Sequence, residues 1–287
     1  MATSNPITHV SDTARWAAIY RAMESERPDA LFSDPYARRL AGARGEEIVR
    51  AMPRGRAMAW PMVVRTAVMD ELILRAVERD GVHTVVNLAA GLDTRPYRLP
   101  LPGGLRWIEV DFPDLLAYKK EQLAGEKPRC ELERVAVDLT DRERRRELFD
   151  DAVSGGGGGT LVVTEGLLVY LAPEEVGRLA DDLQAAGFGW WLIDLGSPRL
   201  LKMLAKTWGR KLEEGNAPFR FAPAEGTQFF LPHGWTEAEY RSMWEESLRL
   251  KRTMPMAWLW NLIGKLCSKK KREEFRRFSG IVLLQRT

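Results

Sequence analysis

Three acidic side chains stand at the ends of three short apolar runs. Asp111 follows Arg106–Val110 (RWIEV), Asp138 follows Arg134–Val137 (RVAV), and Glu165 follows Leu161–Thr164 (LVVT). A fourth run, His83–Leu88 (HTVVNL), leads into the turn Asn87-Leu88-Ala89-Ala90-Gly91-Leu92-Asp93-Thr94-Arg95. The small residues at 89, 90 and 91 let a backbone pass close to a bound molecule. Asp111 comes 20 residues after Gly91. At about that distance, nucleotide-binding α/β folds place a carboxylate that accepts hydrogen bonds from ribose hydroxyls. Each feature alone is weak, since one glycine fits any tight turn and an Asp closing a strand is often a cap. Together they put acidic groups along the sheet edge where an adenosine would lie. The G-x-G-x-x-G fingerprint of dinucleotide binding is absent.

The elements that must hold these residues follow from the same runs. Short β-branched segments alternate with longer amphipathic ones, which predicts crossover units and a largely parallel sheet. His83–Leu88, Arg106–Val110, Arg134–Val137, Leu161–Thr164 and Trp190–Asp194 are the first five expected strands, with a helix over Val63–Glu78 before the first. Leu248–Thr253 and Gly280–Gln285 are expected to complete a seven-stranded, doubly wound, Rossmann-like sheet. The glycine run Gly155–Gly159 reads as a surface loop, because no Gly-Lys-Ser/Thr follows to make it a phosphate cradle. The chain reads as one domain over residues 1–287, with two segments outside the alternating core. Residues 1–60 form a helical N-terminal cap, with Ser11–Met23 amphipathic and Ser33-Asp34-Pro35 opening a helix at Tyr36. Residues 198–235, inserted after the fifth strand, carry Trp208, Phe219, Phe221, Phe229, Phe230 and Trp235, a density that either packs the cap or lines an apolar pocket.

The whole composition narrows the class. Lys and Arg number 43 against 40 Asp and Glu, a net charge of +3 too diluted for a nucleic-acid footprint. The run Lys269-Lys270-Lys271-Arg272 reads as a solvated helix face. Two cysteines, Cys130 and Cys267, make no disulfide framework, and His9, His83 and His233 are too scattered to predict a metal site. With no apolar leader and no membrane-length run, a soluble cytoplasmic protein without nucleic-acid or membrane partners is expected.

The segments V-V-N-L-A-A-G-L-D-T-R-P-Y-R-L, E-V-D-F-P, V-D-L-T-D and T-E-G-L-L-V-Y-L resemble the leucine carboxyl methyltransferase family. The likeness is strongest to its bacterial branch of polyketide and secondary-metabolite O-methyltransferases. It runs from about Ser11, through S-D-P-Y-A, to about Leu171 and fades beyond the fifth strand. It implies a class I methyltransferase fold and S-adenosylmethionine as cofactor. Gly91 and Ala89 would pass under the methionine part, and Asp111 would hold the ribose. Asp138 and Leu139 would bracket the adenine, and Glu165 would lie by the methionine amino group. Arg65 would pair with the methionine carboxylate, for which a planar guanidinium is well shaped. Ala89 departs from the family, which often has Gly there.

The resemblance leaves the methyl acceptor open. No Ser/His/Asp or Cys/His grouping accompanies these motifs. That favours a carboxylate, already ionised at neutral pH, over a phenol that must lose its proton. Tyr170 and His233 are the candidate substrate-side residues. A small-molecule acceptor is expected. The alternatives are methylation of a protein C-terminal carboxylate, as in the family's eukaryotic members, and a regulatory protein that binds the cofactor without turnover.

Overall fold

The computed structural model describes residues 11–52, 55, 59–214 and 218–287. Five parallel strands form first: β1 (Thr84–Leu88), β2 (Arg106–Asp111), β3 (Glu131–Ala136), β4 (Thr160–Thr164) and β5 (Trp190–Gly196). Two antiparallel strands follow, β6 (Trp235–Ser242) and β7 (Ser279–Arg286). The sheet order is β3-β2-β1-β4-β5-β7-β6. The winding reverses between β1 and β4, leaving a crevice beyond their carboxyl ends where open α/β sheets bind ligands.

Alternation along the strands builds two cores. Val86, Ile108, Val162 and Ile193 face one side, against α6 (Arg142–Ala152) and α7 (Pro173–Ala186). Val85, Trp107, Leu161, Val163 and Leu192 face the other, against α3 (Ala59–Arg79) and Met243 of α9 (Met243–Arg249). These strands are buried on both faces, which is why they read as continuous apolar runs. A third cluster joins α1 (Ser11–Ser25) and α2 (Ala37–Ala51) to Leu92, to Tyr97 of α4 (Arg95–Arg98) and to Leu115 of α5 (Pro113–Gln122). The N-terminal helices thereby sit over the turn after β1. Of the expected 1–60 segment, residues 1–10, 53, 54 and 56–58 lie outside the described residues.

One expected strand is wrong. Leu248–Thr253 is not a strand: it holds the end of α9 and the turn after it. The alternate leucines Leu248 and Leu250 mimic a strand, but Met243, Glu246 and Ser247 are the buried positions, at helical spacing. The sixth strand is instead the polar stretch WTEAEYRS, which pairs only with β7 and leaves most side chains partly exposed at the sheet edge.

The aromatic set of 198–235 also divides. Phe230 and Trp235 are fully buried, and both stack edge-on against Trp191 of β5. They belong to the core and not to a cap. Phe219 and Phe221 line the crevice, while Trp208 lies outside the described side chains. The remaining helices are α8 (Pro198–Glu214) after β5, and α10 (Ala257–Leu266) and α11 (Lys269–Arg276) before β7.

Candidate active site

The turn after β1 is tight. Ala89 and Gly91 adopt φ of 53° and 52°, the left-handed region in which a side chain costs about 1–2 kcal/mol. Ala89 therefore holds a conformation that suits the family's glycine. A Cβ on Gly91 would meet Ala14 Cβ of α1 at 3.2 Å, so the glycine also lets the cap approach. Asp111, at the end of β2, accepts the Gly91 N–H at 2.7 Å and the Phe112 N–H at 2.8 Å. Burial raises its pKa, against the pull of those two N–H groups and of Lys119. A buried carboxylate poised this way gains from further donors such as hydroxyls.

Beside this turn lies a charged floor. Arg65 of α3 donates Nε–H to Glu165 at 2.9 Å and Nη1–H to Asp194 at 3.0 Å. Asp194, on β5, also accepts the Gly166 N–H at 2.8 Å. Arg95 donates from Nη1 to Glu165 and Asp93, at 2.7 and 2.9 Å, and from Nε to Asp70 at 2.6 Å. Asn87 steadies Asp93 at 2.8 Å. Arg98 grips Asp70, and Arg21 of α1 binds both Asp34 and the Leu92 carbonyl. Burial disfavours the Glu165 charge, but Arg95 and Arg65 outweigh it and hold the pKa down at about 2. Asp93 is likewise driven well below the usual range, chiefly by Arg95 against the cost of burial. Four guanidiniums (Arg21, Arg65, Arg95, Arg98) face six carboxylates (Asp34, Asp70, Asp93, Asp111, Glu165, Asp194). Of these, Asp93, Asp111, Glu165 and Asp194 line the cavity beside Arg21, Arg65 and Arg95, one carboxylate more than the guanidiniums of the floor.

Floor and turn open into one cavity of about 1350 Å³. This exceeds the roughly 300–1,000 Å³ of a typical single-ligand pocket. Its far walls are apolar, with Trp60 and Met62 from the α3 end, Leu200 and Met203 from α8, and Phe219 and Trp260 among the rest. Tyr170 lines it too, its ring 5.7 Å from that of Phe219. Burial pushes the Tyr170 phenol up to about 12, Arg65 pulling the other way. It is therefore a proton donor at neutral pH and not a base. Arg199 also lines the cavity, and among the described residues it has no carboxylate partner.

The fold thus brings together Arg65, Ala89, Gly91, Asp111, Glu165 and Tyr170 in one wall, and leaves three expected residues outside it. Asp138 is exposed and accepts the Thr140 N–H and O–H at 2.9 and 2.8 Å, a turn-closing role. Leu139 packs against the core cluster on the α6–α7 side. His233 is a correction: its Nδ1 lies 2.7 Å from Asp181 of α7, and the ring is not part of the cavity. It ends a 3₁₀ turn, Gly226–His233, that packs on α7. The Arg65 expectation also changes in detail. Two of its three nitrogens are engaged by protein carboxylates, so only the remaining N–H groups can reach a ligand.

Sequence reasoning missed Asp194, Asp93, Arg95 and Arg199. Asp194 ends the expected fifth run, Trp190–Asp194, as the other acids end theirs, so the same rule extended by one strand finds it, although β5 itself continues to Gly196. Arg95 carried no such signal, because its partners Asp70 and Glu165 are 25 and 70 residues away.

A mostly parallel, doubly wound sheet with a small-residue turn over a strand-end carboxylate is the class I methyltransferase architecture. Solved structures share it. A DUF574 family protein from Streptomyces avermitilis superposes with a TM-score of 0.62 at 11% identity, covering 99% of both chains. A methyltransferase structure from Thermobifida fusca gives 0.56 at 13% identity, covering 99% of this chain and 97% of the other. The chain itself belongs to the leucine carboxyl methyltransferase family, whose model matches residues 14–184. It is 44% identical over 184 residues to a Parafrankia protein named as an S-adenosyl-L-methionine-dependent methyltransferase, a match spanning 61% of this chain and 58% of the relative. The first relatives are thus matched over less than two thirds of their length. A Streptomyces coelicolor protein with the same designation is 34% identical over 255 residues, 84% of this chain and 88% of its own.

Proposed function

We propose that this chain is an S-adenosylmethionine-dependent O-methyltransferase acting on a small apolar acid. The observation that carries this reading is the two-part cavity: a charged floor of paired groups, and an apolar chamber edged by the exposed guanidinium of Arg199, which has no protein partner among the described residues. The cofactor, when bound, supplies a methyl group on a sulfonium and carries a net positive charge that the surplus of carboxylates complements. Asp111 would accept its ribose hydroxyls, and the free N–H groups of Arg65 would take its carboxylate. Asp194 and Glu165 are the acceptors for its ammonium group. Two shared carboxylates already hold Arg65 in place, so it loses little rotamer freedom on binding.

The chain's own part in the reaction is alignment and exclusion of water. Arg199 attracts an anionic acceptor into the chamber, while Trp60, Met62, Phe219 and Trp260 surround its apolar body. Among the described lining residues there is no imidazole, thiol or lysine, and Tyr170 keeps its proton. An acceptor that arrives ionised needs no base. This supports a carboxylate and a methyl ester product over a phenol and an aryl ether. A chamber of this size also argues against a binding protein without turnover, which needs no acceptor space. The test is a screen of apolar acids and matched phenols with labelled cofactor. Acids should give an alkali-labile product at a rate flat from about pH 6 to 9, since a carboxylate of pKa near ~4 is ionised throughout. An alkali-stable product, formed from phenols alone, overturns the acceptor assignment.

A further inference from the structure

Helix α10, which lends Trp260 to the chamber, leaves large apolar side chains in water. Trp258 is 69% exposed, Leu262 53% and Trp260 51%. On α10, Trp258 and Leu262 are four apart and share one face, whereas Trp260 lies nearly opposite both. Trp260 is the one that lines the chamber. The Trp258–Leu262 face therefore points away from it and has no aromatic partner among the described residues. Exposed aromatic and leucine side chains paired on one helix face mark an interaction surface.

The charge around this face is mostly basic: the exposed Glu273 of α11 is taken up by Arg276 and Arg277, and Glu274 is the remaining exposed acid on that helix. Lys269, Lys270, Lys271 and Arg272 are all exposed at the start of α11, whose Ser268 accepts the Lys271 N–H as N-cap. Lys271 precedes Phe275 by one turn, and Phe275, 42% exposed, is itself chamber wall. This places the cations beside the chamber wall. From α8, Lys202 and Lys206 flank Met203, which is also chamber wall and 48% exposed. Among the described residues none of these six cations forms an ion pair, whereas most arginines elsewhere do. In sequence the basic run reads as a solvated helix face. Its position beside an unpartnered Trp–Leu face gives it a different meaning.

We propose that the α8–α10–α11 face docks on an anionic phospholipid surface. Trp258 and Leu262 enter the headgroup boundary, and Lys202, Lys206 and Lys269–Arg272 lie over the lipid phosphates. Tryptophan and leucine on one face with lysines alongside is the pattern of helices that lie in a membrane interface without spanning it. In the described residues no helix is long and apolar enough to cross a membrane, and docking of this kind needs none. The exposed chamber-wall residues Met203 and Phe275 then stand beside the lipid, which shortens the path of an apolar acceptor to the chamber. Only this last consequence rests on the acceptor reading.

The test is co-sedimentation of the full chain with vesicles of phosphatidylcholine alone or mixed with phosphatidylglycerol, at low and high salt. The chain should bind the mixed vesicles, ignore the neutral ones, and release as salt shortens the Debye length from about 10 Å to about 3 Å. Trp258→Ser with Leu262→Ser, and separately Lys270→Glu with Lys271→Glu, should each weaken binding by about tenfold or more. S-adenosylhomocysteine affinity, measured by calorimetry, should be unchanged in both and reports that they fold. No sedimentation of wild type with anionic vesicles at low salt overturns the proposal, as does full binding by the Trp258/Leu262 variant. A concentration-dependent dimer that this variant dissolves would assign the face to a second copy instead. A wild type that binds vesicles yet shows no affinity for S-adenosylhomocysteine would sink the methyltransferase reading and leave the docking intact.

Discussion

Asp111, proposed to hold the ribose of the ligand, carries its charge at some cost to the fold. Its raised pKa means the ionised form is disfavoured when no ligand is bound. The sign follows: a carboxyl whose folded pKa lies above its unfolded value loses stability as pH rises through that range. Asp111→Asn removes the charge but keeps an oxygen for the Gly91 N–H. The melting temperature without ligand at neutral pH should hold or rise, while affinity for S-adenosylhomocysteine falls by roughly 1–3 kcal/mol. Equal affinities in calorimetry would remove Asp111 from the ribose site. Arg65, as the proposed partner of the cofactor carboxylate, faces a sharper demand: it is held by Glu165 and Asp194 and would have to offer its remaining N–H groups to the ligand. A lysine ammonium is a point charge with no fixed fork. Arg65→Lys should therefore lower cofactor affinity by about tenfold or more. Unchanged affinity would reduce this guanidinium to a structural tie.

The β1 turn and α1 are a matched pair of elements. Gly91 is required twice, by its positive φ and by Ala14, whose Cβ would stand 3.2 Å from any Cβ added there. Gly91→Ala should cost about 1–3 kcal/mol, from backbone strain plus the displacement of α1. Ala89→Gly should do no harm, since a left-handed alanine is already strained, and denaturant titration of both variants checks the pair of outcomes. The second tie between elements is electrostatic: Glu165 joins β4 to α3 and α4 through Arg65 and Arg95. Its pKa is depressed from an ordinary 4.5 to about 2. The stability it contributes is present above about pH 4.5 and is lost as pH falls toward 2. Melting curves across that range should show a shallower acid decline in Glu165→Gln, from a lower starting stability. A parallel decline in both proteins would show that other carboxylates dominate acid unfolding.

Across the whole molecule, one cavity collects residues from α1, α3, the turns after β1, β2 and β4, strand β5, and α8 to α11. A ligand that bridges so many elements binds only the folded chain and must raise its melting temperature by mass action. S-adenosylmethionine and S-adenosylhomocysteine should do so, and NAD should not. The diphosphate of NAD would be set against a floor whose carboxylates outnumber its guanidiniums. A thermal shift with NAD alone would overturn the cofactor assignment.

The parts of this architecture legible in the sequence are those written in local patterns. The parallel strands β1, β2, β4 and β5 appear as apolar runs because both sheet faces are covered there, whereas the edge strand β3, ELERVA, is partly exposed and shows only its apolar end; the edge with the site appears because Asp111 and Glu165 stand at the ends of such runs. The turn at 89–91 is legible for the same reason, as small residues next to a strand end. What tertiary structure alone decided is which charges meet. Arg65 finds Glu165 and Asp194 at separations of 100 and 129 residues, and no spacing rule reaches that far. Burial likewise sorted look-alikes. Phe219 went to the chamber and Phe230 to the core, and His233 went to the surface of α7, although all three lie in one short stretch. Side-chain type sets what a residue can do, but the packing of distant elements sets what it touches, and only contact converts the one into the other.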